Sequence, residues 1–431
     1  MQILPALPWI IKVLGSLAII LIVNSLLKNL TISVALGTLT LALLSGHSLT
    51  TVFSIASNCL FSVNHLSLMI AVAQIYWLSS QWAKTGMMQE LVVLIQSRLS
   101  PRASIAILPA VLGFLPVPGG ALFSAPLVDS CDREGRIDPT LKSVVNYWFR
   151  HVWEFWCPLY PGILLAMEIT GLTILQVMLV GLPLSFSAIL AGYLFFLREI
   201  PGGKLPTQSP TNGFLKQFLL LTSPIIIVIG IQTVLPIFFS GITEFNKYLP
   251  ISIGIIMAYL FLQILKPLTL ATWREIFGQK KIFSLLLLIS MIMVYVAFIE
   301  AKLPNGTPLV TMISEELSSF GIPITVMAML IPFVSAITSG LSLGFVGPSF
   351  PIIFSMLGPN PGLPQLLSTL VLAYGFGLMG VMLSPVHVCL IVSNEFFEAK
   401  LTPTLTRLLK PAFFVILYTI AFHFLISLFP G

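Results

Sequence analysis

Charge is what this 431-residue chain has least of. Asp, Glu, Lys and Arg make up 8% of it, where a soluble domain carries about 25%, so the residues that would cover a water-facing surface are missing. Cysteine is scarce too. Cys59, Cys131, Cys157 and Cys389 stand in no CxxC or Cys/His spacing, which argues against a disulfide framework and against a zinc motif. No Walker, haem or zinc motif and no nucleophile elbow occurs, which removes an ATP-driven pump and leaves neither a cofactor nor a metal to expect. Nucleic acid is excluded as a partner: the net charge is +6, but the basic residues punctuate apolar runs instead of forming a patch. Residues 1–28 lack a basic n-region and an Ala-x-Ala-like site, so they read as a retained span and not a signal peptide.

Apolar residues fill the space that charge leaves. They make up 57% of the chain, and the mean hydropathy is +1.02. Runs long enough to cross roughly 30 Å of hydrocarbon lie at 9–27, 29–46, 64–83, 139–168, 173–197, 214–240, 249–266, 282–301, 364–397 and 402–429. Two segments rich in Pro and Gly interrupt this pattern. One contains Gly113-Phe-Leu-Pro-Val-Pro-Gly-Gly-Ala-Leu-Phe-Ser-Ala-Pro-Leu-Val128, the other Thr338-Ser-Gly-Leu-Ser-Leu-Gly-Phe-Val-Gly-Pro-Ser-Phe-Pro351. Broken backbone at membrane depth survives only where protein or a water-filled cavity satisfies the freed amides and carbonyls. Its occurrence at matching places in two halves is the mark of a transporter built from repeats, with its site at the midplane.

The expected fold is therefore all-α and polytopic, with about ten transmembrane helices and two re-entrant helical hairpins in two repeats. The first repeat covers 1–200, with a hairpin at 101–128 and a broken helix at 139–168. A cytoplasmic linker follows at 201–213, and the second repeat covers 214–431, with a hairpin at 322–356 and a broken helix at 364–397. If both termini lie outside the cell inner membrane, every Lys and Arg falls on the inner side except Lys12, Lys247, Lys302 and the intramembrane Arg150, a positive-inside distribution. Five spans per half is an odd number, so the repeat is inverted. A constant offset also aligns Tyr147 with Tyr374, Phe149 with Phe376, Pro158 with Pro385 and Glu168 with Glu395.

A helix that starts at the midplane presents unpaired amides and a positive partial charge, which suits an anion. Starts are expected after Gly119-Gly120, after Gly344, near Pro158–Gly162 and at Ser384-Pro385, where Ser is a plausible cap and Pro a favourable first residue. The candidate substrate-binding residues are Pro118, Gly119, Gly120 and Ser124 at the first hairpin. Ser339, Gly340, Ser342 and Gly344 are their counterparts at the second, joined by Ser384. Small-residue packing is the competing explanation for such clusters.

Arg150 is the remaining candidate for substrate. It shares the run Asn146-Tyr-Trp-Phe-Arg-His-Val-Trp-Glu154 with His151 and Glu154, where lipid tolerates no ionisable group without a partner. Arg150 and Glu154, spaced i, i+4, either neutralise each other on one helix face or serve substrate and proton. Glu154, His151 and His387 are the candidates for proton coupling. Asp129 closes the first hairpin, placed to cap it or to pair with a nearby Arg, and Asn394-Glu395 ends the second broken span at the cytoplasmic interface.

The stretch Leu115-Pro-Val-Pro-Gly-Gly-Ala-Leu-Phe-Ser-Ala-Pro-Leu-Val-Asp129 resembles a prokaryotic family of uncharacterised integral membrane proteins related to the gluconate permeases, within the ion transporter superfamily. The resemblance implies an elevator-type secondary carrier, commonly a homodimer, that moves organic anions with H⁺ or Na⁺. Sodium-coupled dicarboxylate relatives place Ser-Asn-Thr at each hairpin tip. Here the tips read Pro116-Val-Pro-Gly-Gly120 and Thr338-Ser-Gly-Leu-Ser342, which favours H⁺ over Na⁺. The expectation is a symporter, not an enzyme, for a small organic anion such as a sugar acid or other carboxylate, with membrane lipids as its surroundings. The alternative is a membrane-embedded enzyme or lipid-headgroup handler that uses Glu154 and His151 as acid and base.

Overall fold

The computed structural model describes residues 7–114, 120–132, 135–201, 213–239, 241–321, 323–358 and 360–429. Among the described residues the regular structure is helical, with no strand. Six helices are long and apolar enough to cross a membrane: Trp9–Leu27, Ile174–Glu199, Phe214–Phe238, Leu270–Glu300, Leu363–Met382 and Leu401–Ser427. A seventh span arises if Leu49–Leu60 and Val63–Lys84, bent by 52°, count as one. These apolar helices mark a membrane protein. Other apolar stretches form helices of 10–17 residues, among them Leu30–Leu44, Pro161–Thr170 and Leu249–Leu265.

Local chemistry sets many helix starts. Ser62, Ser100 and Asp138 accept hydrogen bonds from the amides of His65, Ala103 and Leu141, and Thr173 with Gln176 forms a capping box. Each cap satisfies an amide that has no partner within its own helix.

The two Pro/Gly-rich segments each separate a pair of packed helices, Pro101–Gly113 from Ala121–Ser130 and Ile324–Ser339 from Ser342–Ser355. Two of the long apolar runs are interrupted as well, whereas Ile174–Phe195, Phe214–Phe238 and Leu401–Ser427 continue through internal prolines. Helix Pro139–Arg150 gives way to turns over 151–160 before Pro161–Thr170, and Leu363–Met382 gives way to 383–387 before Val388–Phe396. Pro158, Pro161 and Pro385 lack the amide that a continuous helix would need.

Packing crosses the chain reciprocally. Pro101–Gly113 lies on Pro139–Arg150, and Ile324–Ser339 lies on Leu363–Met382. The second helix of each hairpin goes to the other half: Ala121–Ser130 packs on Val388–Phe396, and Ser342–Ser355 on Pro161–Thr170.

Several helix starts differ from the sequence expectation. The helix after Ser384-Pro385 begins only at Val388, and Gly344 lies inside a helix that begins at Ser342. Ser384 is not the cap because the helix starts three residues beyond Pro385; its hydroxyl donates to Ile337 O at 2.6 Å and accepts from the Val386 amide at 3.4 Å. Arg150 is the last residue of its helix, so Arg150 and Glu154 do not share a helix face as i, i+4 neighbours. Asp129 pairs with Lys142 at 2.8 Å.

The same Lys142 reaches Asp132 at 2.8 Å, clamping the open end of the first hairpin. Burial alone would push the Asp132 carboxyl up. Hydrogen bonds from Lys142 and from the Ile137 and Arg136 amides hold it below the usual carboxylate range.

Candidate functional site

The first hairpin ends a helix inside the protein, and the last carbonyls of such a helix have no partner within it. Three side chains, from the end of helix Pro139–Arg150 and from the break that follows it, supply donors. Arg150 Nη1 donates to Leu112 O at 3.2 Å, Trp153 Nε1 to Ala110 O at 2.6 Å, and the Tyr160 hydroxyl to Gly113 O. The indole of Trp153 also stacks on Phe114, ring centres 4.4 Å apart. The tip closes tightly on Arg150: a Cβ on Gly113 would stand 2.2 Å from the Arg150 carbonyl oxygen, and one on Gly120 would stand 1.9 Å from Nη2. The guanidinium, buried with its residue 4% exposed, thus sits at the negative end of Pro101–Gly113, a favourable place for a cation. Hairpin carbonyls are a third kind of partner for this arginine, besides Glu154 and an anionic ligand.

The second hairpin repeats the arrangement with other residues. Ser384 donates to Ile337 O, His387 Nδ1 to Gly340 O at 2.6 Å, and Asn24 Nδ2 to Thr338 O at 3.4 Å. Gly340 turns with φ +64°, a left-handed conformation that glycine adopts without strain.

The breaks bring the titratable residues together. His151, at the start of one break, and His387, at the end of the other, face each other with Nε2 atoms 3.0 Å apart. His151 Nδ1 lies 2.7 Å from Tyr147 O, and Glu154 Oε1 lies 3.8 Å from His151 Nε2. Cys389 Sγ joins this cluster; it and one nitrogen from each imidazole all lie within 4.8 Å of one another, and all three residues are buried. A family model described as a protein of unknown function (DUF401) matches residues 10–426. The chain belongs to the DUF401 family. Among curated proteins there is no match.

In this DUF401 chain the remaining expected residues are placed as follows. Ser124 is fully buried and bonds back to Ala121 O at 3.3 Å. Ser339 bonds to Ser335 O at 2.7 Å and lies against Gly344, where a Cβ would stand 2.2 Å from its hydroxyl oxygen. Ser342 meets Gly162: a Cβ there would stand 3.1 Å from Ser342 Oγ and 3.3 Å from the Tyr374 hydroxyl. Pro118 and Gly119 lie outside the described residues.

Asn394 is packed within the protein. It is buried, accepting from Ser143 at 2.6 Å and from Thr404 at 2.9 Å. Beside it, Asn146 Nδ2 bridges Ala121 O and Ser393 Oγ.

Sequence reasoning passed over Tyr374, Cys389 and Asn146 as site residues. His387-x-Cys389 is too short a motif to flag a site without the distant His151. A cavity of about 520 Å³, lined in part by Gln365, Ser368, Thr369 and His423, lies at helix ends and includes none of the expected residues.

Proposed function

We propose that this protein is a secondary carrier that moves a small organic anion, such as a sugar acid or other carboxylate, across a cell membrane. One observation carries the reading. The N-termini of Pro161–Thr170 and Ser342–Ser355 meet at Gly162 and Ser342, beside the buried hydroxyl of Tyr374, which has no hydrogen-bond partner among the described residues. Helix-start amides and an unsatisfied hydroxyl are costly where water is excluded. A carboxylate offers acceptors to both and suits the positive ends of the two helices. Arg150 supplies positive charge from the same broken segment, held at the first hairpin tip.

Reciprocal packing of each hairpin on the two broken segments supports an inverted repeat of ten spans; the Lys and Arg distribution supports outward termini, and the likeness to gluconate permeases rests on the stretch Leu115–Asp129. An elevator-type homodimer in the inner membrane follows from that likeness. The tips lack Ser-Asn-Thr, which favours a proton gradient over a sodium gradient. The enzyme alternative is disfavoured because His151 Nδ1 is taken up by Tyr147 O and its Nε2 faces His387 at 3.0 Å instead of open space.

The test is uptake into proteoliposomes of sugar acids and of di- and tricarboxylates, with an imposed pH gradient and no Na⁺. Saturable accumulation of one class is expected. Tyr374→Phe should weaken its binding roughly 10- to 100-fold, the worth of a hydrogen bond to a charged group. Arg150→Lys should weaken it as well, because the planar fork is lost. No accumulation by the wild type, or wild-type affinity in Tyr374→Phe, overturns the reading.

A further inference from the structure

The opposed imidazoles are short of a positive charge. His151 Nδ1 faces Tyr147 O and His387 Nδ1 faces Gly340 O. A carbonyl only accepts, so both Nδ1 atoms carry hydrogen, and each neutral ring then presents a bare lone pair at Nε2. Those two lone pairs lie 3.0 Å apart, a repulsive arrangement unless a cation stands with them. The nearby Cys389 thiol has a single hydrogen and cannot satisfy both.

We propose that His151 Nε2, His387 Nε2 and Cys389 Sγ form a buried site for a borderline transition-metal cation of the Zn²⁺ class, with Glu154, whose Oε1 lies 3.8 Å from His151 Nε2, as the oxygen donor that completes it. The ligand chemistry is two imidazole nitrogens, one thiolate and one carboxylate, which selects Zn²⁺-like ions over Mg²⁺ or Ca²⁺. Each imidazole is already oriented by a backbone carbonyl on its other nitrogen, as metal-ligating histidines ordinarily are.

The distances suit the ion. Tetrahedral ligation with metal–nitrogen bonds of about 2.0 Å and a metal–sulfur bond of about 2.3 Å sets donors roughly 3.3–3.6 Å apart. The imidazoles need open by only a few tenths of an ångström, and the sulfur, within 4.8 Å of a nitrogen of each ring, closes by about 1.3 Å at most. Binding releases the thiol proton to solvent and forms the metal–sulfur bond, with no change of oxidation state. Because His387 holds Gly340 and His151 follows Arg150, the ion would tie the second hairpin tip to the break that closes the first. The site stands independently of the anion reading.

The experiment uses the purified full-length protein in detergent, stripped with chelator and titrated with Co²⁺ and then Zn²⁺. One equivalent of Co²⁺ should produce tetrahedral visible bands and a sulfur-to-cobalt charge-transfer band, both erased by Zn²⁺, and Zn²⁺ should raise the unfolding temperature. Cys389→Ser should lose the charge-transfer band and bind at least tenfold more weakly. His387→Ala should lose the site, and because it also frees Gly340 O, the serine variant serves as the test that leaves the tip intact. A wild-type spectrum no different from aqueous Co²⁺ overturns the proposal in favour of a single shared proton. A spectrum unchanged in Cys389→Ser overturns it by placing the metal elsewhere.

Discussion

At the first hairpin tip, Arg150, Trp153 and Tyr160 donate to the carbonyls of Leu112, Ala110 and Gly113. At the second, Ser384, His387 and Asn24 donate to those of Ile337, Gly340 and Thr338. Both tips face the same deficit, the unpaired last carbonyls of a helix that stops inside protein, and both draw donors chiefly from the adjacent break. The means differ. The first tip is closed by long side chains, one of them charged, and wraps the backbone of Arg150 with almost no clearance. The second uses short or neutral donors and a left-handed glycine. What physics demands at such a tip is a number of donors, and residue identity is free to diverge, so that an arginine, a tryptophan and a tyrosine serve one tip and a serine, a histidine and an asparagine the other.

Tightness gives the largest expected contrast. In Gly113→Ala the new methyl would stand 2.2 Å from the backbone oxygen of Arg150, a clash that no rotamer relieves. A loss of about 3 kcal/mol or more is expected, read as a large fall in unfolding temperature in detergent. Gly340→Ala meets its neighbours at 3.1 Å and pays mainly for its positive φ, about 1–2 kcal/mol. Equal damage from the two variants would remove clearance as the difference between the tips.

Donor number is tested by an expected equality. Trp153→Phe keeps the stack on Phe114 but leaves Ala110 O without its indole donor, and Ser384→Ala does the same to Ile337 O. Each should cost about 1–3 kcal/mol, the penalty for a buried unsatisfied group. A near-zero cost at one tip alone would show that its carbonyl finds another partner.

The smallest effect lies at the open end of the first hairpin. The carboxyl of Asp132 is held below its ordinary range when folded, so its stabilisation is full above the unfolded value near 3.9 and is lost as the pH falls through the folded one. Unfolding temperature followed below about pH 4 should decline less steeply in Asp132→Asn than in the wild type. Identical slopes would mean that the clamp on Lys142 does not contribute.

Much of this could be read locally. Pro158, Pro161 and Pro385 lack amides, so a break near each was visible in the chain, but Pro126, Pro348 and Pro351 lie inside helices, and which prolines stop a helix was not. Arg150, His151, Glu154 and His387 stood out because ionisable groups are rare in apolar runs. The partners were not visible. Arg150 reaches a carbonyl 38 residues away, His387 reaches one 47 away, and the two histidines are 236 apart. Asn394 is buried and takes hydrogen bonds from Ser143, 251 residues away, and from Thr404.

The sequence by itself determined that this is a helical membrane protein with breaks at defined places, because hydrophobicity and backbone constraint act on neighbouring residues. Only the tertiary structure decided which donor closes which carbonyl, and that Cys389 joins the two imidazoles. A buried polar group must be satisfied by whatever packing brings within about 3 Å, and that partner is set by how helices cross, not by their order along the chain.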